Sequence, residues 1–257
     1  MKMEWMTVIE NEPISLDTFK MVLSGDLVHL MTQPGQFLHV RVGDGATNTL
    51  RRPISIADLD YQAQQVTIIY KTIGEGTHWL SMRKPDERIH VLGPRGNGFT
   101  TEHVCNQDVL LIGGGVGVPP LYYLAKKLTQ QNNRVTIILG FQTKAAMFYV
   151  KEFQGLGETI VMTEDGSAGQ HGRVTDVLPK YQMKTDLYFT CGPTGMLQAV
   201  TQQMAKTPGY ISLEERMGCG IGACFACVCQ TTDQEDGKGY RKICMDGPVF
   251  AAEEVIL

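Results

Sequence analysis

Four cysteines near the end of the chain have the spacing of an iron–sulfur ligand set. Cys219, Cys224 and Cys227 form a C-x4-C-x2-C pattern, and Cys244 follows after a gap of sixteen residues. This is the plant-type arrangement for a 2Fe–2S cluster, in which thiolates hold the two irons. Glycines interleaved with the first three cysteines allow the backbone to wrap closely around such a group. The spacing therefore predicts a centre that accepts and releases single electrons.

A four-cysteine zinc site is the alternative for the same residues. Zinc sites usually take their ligands as two short C-x2-4-C pairs, whereas here three ligands lie together and the fourth is remote. The spacing favours iron, and a zinc-bearing nucleotide-sensing module without redox activity is the competing hypothesis. Cys229 falls outside the pattern, and we expect the isolated Cys105 to be a small buried hydrophobic residue.

A second group of residues has the chemistry to hold a flavin. On a predicted strand, the Arg52 guanidinium can bind a pyrophosphate, the backbone after Pro53 can face the flavin ring, and the Ser55 hydroxyl can reach its N5 atom. A solvated basic edge strand is the alternative. Downstream, Tyr70 ends a strand and could equally be a core residue, while Thr77 is the predicted N-cap of a helix over residues 78–83.

A glycine-rich turn after a continuous apolar strand indicates nucleotide binding. Gly114, Gly115 and Gly117 would let phosphates approach the backbone, although Val118 occupies the last glycine position of the strict dinucleotide pattern. A turn used only for packing is the alternative. The residues alone do not choose between NAD and NADP.

A second strand-to-helix turn strengthens the nucleotide-binding prediction. Two such turns at the carboxyl ends of parallel strands bracket the crevice in which ligands bind. We expect the Cys191 side chain to approach the nicotinamide. The residues of this turn are Cys191, Gly192 and Pro193.

The elements that position these groups change character along the chain. Short β-rich segments separated by turn residues predict an antiparallel β-barrel over residues 1–100. Apolar strands alternating with helices predict an α/β domain with a parallel sheet over residues 101–213. Residues 214–257 form the cluster segment. The predicted fold class is thus a β-barrel plus an α/β domain and a C-terminal 2Fe–2S segment.

Composition and charge exclude several classes of function. A net charge of −4 without a basic block argues against nucleic-acid binding. No apolar run approaches the roughly 20 residues that span a bilayer, and the first residues lack a signal peptide. Seven cysteines, four of them clustered, are typical of a reducing cytoplasm.

No acid–base catalytic group is predicted. The six histidines occur in no catalytic signature, and we expect each at the surface or hydrogen-bonded in the core. The adjacent Glu214 and Glu215 are expected on a solvated face. Chemistry would then belong to bound cofactors.

The order of the motifs resembles the ferredoxin–NADP reductase superfamily. Three motifs carry this resemblance: Arg-Pro-Ile-Ser at 52–55, Gly-Gly-Gly-Val-Gly-Val-Pro-Pro at 113–120, and Cys-Gly-Pro at 191–193. The element Cys-Gly-x-Gly-x-Cys-x-x-Cys at 219–227 narrows it, over essentially the whole length, to the electron transfer subunits of dihydroorotate dehydrogenase B. The superfamily commonly has an aromatic residue where this chain has Ile54.

The resemblance implies cofactors and their residues. It places FAD in the barrel, NAD in the α/β domain, and a 2Fe–2S cluster on Cys219, Cys224, Cys227 and Cys244. The motif match puts Arg52, Pro53, Ile54 and Ser55 on the FAD, and position adds Ile69, Tyr70, Lys71, Gly76 and Thr77.

The resemblance also implies a partner and an electron path. The partner would be an FMN-containing catalytic subunit that oxidises dihydroorotate to orotate in pyrimidine biosynthesis, in a heterotetramer with two subunits of each kind. Electrons would pass from FMN through the cluster and FAD to NAD⁺. An iron–sulfur flavoprotein reductase subunit of an electron-bifurcating transhydrogenase or of a hydrogenase is the alternative within the superfamily.

Overall fold

A closed barrel of six strands forms the first part of the chain. The computed structural model describes residues 2–43, 48–232 and 237–257. The strands are β1 (Lys2–Ser15), β2 (Thr18–Ser24), β3 (Phe37–Val40), β4 (Arg52–Asp60), β5 (Gln65–Lys71) and β6 (Arg88–Arg95). They close in the order β1-β2-β5-β4-β3-β6, and every neighbouring pair is antiparallel.

Helix α1 (Glu75–Ser81) follows the fifth strand and begins earlier than the sequence suggested. Gly74 is its N-cap, and Thr77 is the third helical residue. The Thr77 hydroxyl accepts hydrogen bonds from the N–H groups of Ile73 (3.1 Å) and Gly74 (3.2 Å). A hydroxyl that reaches back over the first turn stabilises a helix start upstream of itself, so the expected N-cap role of Thr77 was wrong.

A parallel sheet with helices on its faces follows the barrel. Its strands are β7 (Asp108–Gly114), β8 (Arg134–Phe141), β9 (Glu158–Thr163), β10 (Gln170–His171), β11 (Leu187–Cys191) and β12 (Gly209–Ser212). They lie in the order β10-β9-β8-β7-β11-β12, all parallel. Both faces of β7 are covered, which explains its run of apolar side chains.

The helices of this domain connect the parallel strands. They are α2 (Val118–Gln130), α3 (Val150–Gln154), α4 (Val174–Val177) and α5 (Thr194–Gln203). Short 3-10 helices of this domain are Gly115–Gly117, Lys144–Ala146, Leu178–Lys180 and Gln182–Lys184, and a further one, Asp26–Leu30, lies between β2 and β3 of the barrel. An ion pair of 2.6 Å between Lys126 on α2 and Asp58 on β4 joins the domain to the barrel. No helix within the described ranges is both long and apolar enough to cross a bilayer.

The last segment contains four short strands. They are β13 (Val228–Thr231), β14 (Tyr240–Lys242), β15 (Val249–Ala251) and β16 (Val255–Ile256). Three of them form a small sheet in the order β14-β13-β16, whereas β15 pairs antiparallel with β12 and extends the large sheet. The predicted fold class of barrel, parallel sheet and C-terminal segment is confirmed. Cys105, expected in the core, is exposed, so that expectation was wrong.

Strand β3 separates two hydrophobic cores. Leu38 and Val40 belong to the barrel core, whereas Phe37 packs in a second core that contains Cys227 and Cys244. Successive side chains of a strand point to opposite faces. The outer face of β3 therefore supports the cluster segment directly.

Candidate functional site

The flavin motif lies on β4 with its residues divided between two faces. Ile54 pairs with Leu38 on β3, is 6% exposed and packs in the barrel core. Pro53 and Ser55 alternate with it and are only half-buried. The side chain at the position that is commonly aromatic thus stabilises the barrel, while the backbone of Pro53 and the hydroxyl of Ser55 stay accessible.

The Arg52 guanidinium lies beside the first turn of α1. It donates a 2.7 Å hydrogen bond to the carbonyl oxygen of Leu50, and a β-carbon at Gly76 would lie only 2.9 Å from its Nη2. Among residues 2–43, 48–232 and 237–257, no carboxylate lies within ion-pair distance of Arg52. A half-buried cation without a counter-charge in the described part of the chain fits the pyrophosphate of a dinucleotide.

The end of β5 presents three predicted residues in different surroundings. Tyr70 is buried in the barrel core, where its hydroxyl donates to Asn11 Oδ1 at 2.9 Å and burial raises its pKa above the ordinary range. Ile69 packs in the core of the α/β domain. Lys71 alone of the three lines the cavity described next.

A cavity of about 460 Å³ opens at the carboxyl edge of the parallel sheet. Gly114, Gly115 and Pro193 contribute to its wall, as do Glu164 and Arg173, whose charged groups are 3.6 Å apart. At Gly115, φ is +54° and no atom lies within 4 Å of where a β-carbon would be. Bare backbone amides facing a cavity at this edge fit the phosphates of a nucleotide.

The other residues of the two turns pack against each other. A β-carbon at Gly117 would overlap the carbonyl group of Cys191, and one at Gly192 would lie 2.5 Å from Met196 Cε. Cys191 is fully buried, which raises the pKa of its thiol well above the usual value. These three residues do not line the cavity themselves, but their contacts hold the two turns that form its wall.

The four predicted cluster ligands form two pairs. The N–H of Cys224 donates to Cys219 Sγ at 3.3 Å, and the N–H of Cys219 lies 3.5 Å from Cys224 Sγ. Cys227 and Cys244 form the second pair: both are buried in the same hydrophobic core, and burial together with the Cys227 thiol raises the pKa of Cys244. Within the described residues no three ligating side chains converge on one metal position. Two separate pairs of cysteines nevertheless match the ligand set of a 2Fe–2S cluster, which takes two cysteines for each of its two irons.

Backbone amides are directed at the sulfur atoms. Burial raises the pKa of the Cys219 thiol, but hydrogen bonds from the amides of Ile221 and Cys224 outweigh it and lower that pKa to about 6. Burial and the neighbouring Cys227 thiol raise the pKa of Cys244 to about 11. The loop thus favours thiolate at Cys219, and bound iron would supply the charge that favours thiolate at Cys244.

The barrel contacts the cluster loop through His39. A β-carbon at Gly220 would overlap the imidazole, and Gly220 has φ of +67°, so this close approach requires glycine. His39 is 0% exposed, and neither ring nitrogen has a hydrogen-bond partner within the described part of the chain. Burial and the charge of Arg51 lower the pKa of His39 to about 4, so the ring is neutral. The expectation of surface or hydrogen-bonded histidines was wrong for this residue.

Two further residues of the site escaped sequence reasoning. Arg95 lies at the end of β6 and donates a 2.6 Å hydrogen bond to the carbonyl oxygen of Gly220. Its only signal in the sequence was a charged residue inside the glycine-rich turn 93–98. Glu214 is exposed, as expected, but nothing in the sequence indicated that it lies close to Cys191 or that surrounding protein desolvates its carboxyl group and raises its pKa.

Barrel, parallel sheet and glycine-rich turns together define a reductase of the ferredoxin reductase class. The fold is similar to that of a ferredoxin NADP⁺ reductase from Neisseria gonorrhoeae, at 15% identity with a TM-score of 0.68, covering 84% of this chain and 95% of that one. It is also similar to an NADH-dependent reduced ferredoxin–NADP oxidoreductase studied for flavin-based electron bifurcation. That match has 31% identity and a TM-score of 0.86, and covers 98% of this chain and 90% of that one.

The particular family follows from the cluster segment and from full-length relatives. Residues 214–256 match the iron-sulfur cluster binding domain of dihydroorotate dehydrogenase B, and residues 111–202 match an oxidoreductase NAD-binding domain. Dihydroorotate dehydrogenase B (NAD(+)) electron transfer subunits from Geobacillus kaustophilus and Bacillus velezensis are 51% and 50% identical. The first alignment spans 99% of this chain and 98% of the relative, and the second spans 100% of both. The chain belongs to the family of dihydroorotate dehydrogenase B electron transfer subunits.

Proposed function

We propose that this chain transfers electrons between a dihydroorotate-oxidising catalytic subunit and NAD⁺. The observation that carries the proposal is the direct contact between the barrel and the cluster loop, residues 219–227. His39 pairs with Pro53 of the flavin motif, and its ring contacts Gly220 beside the cluster ligand Cys219. A cofactor on the motif and a cluster in the loop would therefore be neighbours. The family membership favours this function over the bifurcating and zinc-bearing alternatives.

The chain uses FAD, a 2Fe–2S cluster and NAD. When bound, the cluster exchanges single electrons, FAD couples single-electron to hydride transfer, and NAD⁺ accepts the hydride. We propose that Cys219, Cys224, Cys227 and Cys244 bind the cluster, and that Arg52 binds the FAD pyrophosphate. The backbone of Pro53 and Ile54 and the hydroxyl of Ser55 would orient the flavin ring, with Ile69, Tyr70, Gly76 and Thr77 supporting that site.

The nicotinamide cofactor would occupy the cavity at the sheet edge. Gly114, Gly115 and Pro193 face it directly with backbone, and Lys71 offers a cation from the barrel side. Gly117, Cys191 and Gly192 hold the wall. We accordingly assign residues 1–100 to FAD, 101–213 to NAD and 214–257 to the cluster, although β15 joins the sheet of the second region.

The partner would dock on an apolar surface around the cluster loop. Phe225 is 61% exposed, and Ile221 and Met245 are 42% and 45% exposed. An exposed apolar patch of this kind marks a protein interface. We propose that this surface binds an FMN-containing catalytic subunit, in a heterotetramer with two subunits of each kind. We also propose that the protein works in the cytoplasm, because its free thiols suit a reducing compartment.

Coexpression with a candidate catalytic subunit tests this function. The purified complex should form orotate and NADH in equal amounts from dihydroorotate and NAD⁺. The same complex with Cys224→Ser, which removes a cluster ligand, should form no NADH. A complex that turns over with a ferredoxin but not with dihydroorotate would contradict the proposal and favour the bifurcating alternative.

A further inference from the structure

Arg95 joins the flavin barrel to both halves of the cluster site. It ends β6, opposite Phe37 in the pairing with β3, and is 8% exposed. Its Nε donates to the carbonyl oxygen of Gly220 at 2.6 Å, and its Nη2 donates to the carbonyl oxygen of Cys244 at 3.2 Å. Nη2 also lies 2.8 Å from Met245 Sδ. Gly220 follows a ligand of the first thiol pair, and Cys244 belongs to the second pair.

The charge of this guanidinium has no counter-charge among the described residues. An arginine side chain stays protonated in proteins. Within residues 2–43, 48–232 and 237–257, no carboxylate lies at ion-pair distance from Arg95, and its contacts are two carbonyl oxygens and a thioether. A buried charge that lacks a counter-charge is strongly unfavourable. Negative charge must therefore come from the space next to the loop that Arg95 holds, where four thiolates would bind the cluster.

We propose that Arg95 is a positioning residue that raises the reduction potential of the cluster. This rests on the proposed cluster site. Reduction adds one electron to a centre that already carries net negative charge, with no proton required to balance it. The Arg95 guanidinium is hydrogen-bonded to Gly220, next to the ligand Cys219, and to the ligand Cys244. A positive charge fixed at this place stabilises the more negative, reduced form of the cluster. Its two carbonyl contacts also hold the cluster loop against β6 of the barrel.

Variants at one position separate charge from hydrogen bonding. Arg95→Gln keeps an amide donor and loses the charge, whereas Arg95→Lys keeps the charge. Arg88→Gln on the same strand is the control, because Arg88 is exposed and bonds only to the carbonyl oxygen of Trp5 among the described residues. The full chain, with FAD and a reconstituted cluster, is titrated potentiometrically while the reduced cluster is followed by electron paramagnetic resonance. Iron, sulfide and flavin contents are measured alongside.

The charge determines the expected result. In Arg95→Gln the equilibrium constant for one-electron reduction should fall roughly tenfold, which corresponds to a shift of about 59 mV to lower potential. Arg95→Lys and Arg88→Gln should stay near the unsubstituted protein. A fully loaded Arg95→Gln protein at unchanged potential would overturn the proposal. If Arg95→Gln fails to hold a cluster, loading of Arg95→Lys at the original potential supports the proposal, and loss of the cluster in both overturns it.

The titration needs neither the partner nor dihydroorotate. An incorrect assignment of the overall function would appear as missing orotate formation and would leave the potentials unaffected. The two proposals therefore fail independently of each other once a cluster is present.

Discussion

Gly117 and Cys191 bring the two nucleotide-binding turns into backbone contact. A β-carbon added at Gly117 would overlap the carbonyl carbon and oxygen of Cys191. The turns end β7 and β11, which are adjacent parallel strands, and both border the 460 Å³ cavity. The shape of that cavity therefore depends on the absence of a single methyl group.

Gly117→Ala should destabilise the fold and weaken nucleotide binding together. Because backbone rather than a flexible side chain opposes the new methyl group, the turns must separate, at a cost of about 1–3 kcal/mol. Urea unfolding measures the free energy, and NADH titration of the FAD-loaded protein measures the affinity. Gly74→Ala is the control, since no atom lies within 4 Å of its β-carbon position and its φ of −170° suits alanine. Equal stability of the two variants would contradict the contact.

Cys224→Ser should abolish the cluster while leaving the flavin bound. Serine oxygen is a poor substitute for a thiolate ligand, and the first thiol pair would be broken. The iron and acid-labile sulfide of anaerobically purified protein should fall to background, with the flavin absorption retained. Cys229→Ser is the matched control, because Cys229 lies outside the ligand set and is half-buried against the same core, with its Sγ 3.7 Å from the Arg241 carbonyl oxygen. Full iron content in Cys224→Ser would disprove its role.

Local patterns in the sequence predicted the kinds of element better than the contacts between them. The cysteine spacing predicted an iron–sulfur segment, which the family match over residues 214–256 confirms, and the apolar run of β7 predicted a strand buried on both faces. Three other features depend on residues distant in sequence. They are the pairing of β15 with β12, the contact of His39 with Gly220, and the hydrogen bond from the buried Arg95 to Gly220. No local periodicity encodes such contacts, so residues of ordinary appearance became part of the site only through tertiary packing.

Arg52→Gln should weaken FAD binding without unfolding the barrel. Within residues 2–43, 48–232 and 237–257 the guanidinium makes one hydrogen bond, to the Leu50 carbonyl oxygen, and its other donors would bind a pyrophosphate. Hydrogen bonds to a charged group contribute about 1.5–3 kcal/mol, so the dissociation constant for FAD should rise roughly ten- to a hundredfold. Fluorescence titration of the flavin-free protein measures this.

The control for Arg52→Gln is a second arginine with a structural role elsewhere. Arg134→Gln removes a cation whose partner is Asp108, at the amino edge of the sheet and away from the barrel. Its FAD affinity should be unchanged. An unaltered dissociation constant for FAD in Arg52→Gln would contradict the proposal that Arg52 binds the pyrophosphate.

Cys105 and Cys191 should differ sharply in their reaction with iodoacetamide. The thiolate is the reactive form of cysteine. Burial raises the pKa of Cys191 well above 9, so its thiol keeps its proton at neutral pH and is also inaccessible, whereas Cys105 is exposed. At about pH 7, mass spectrometry of the loaded protein should find Cys105 alkylated first and Cys191 unmodified. Raising the pH to about 9 should leave Cys191 unmodified in the folded protein, because burial both raises its pKa and excludes the reagent. In Cys105→Ser the fast phase should vanish, and early modification of Cys191 in that variant would show that the turn behind the nucleotide cavity is open to solvent.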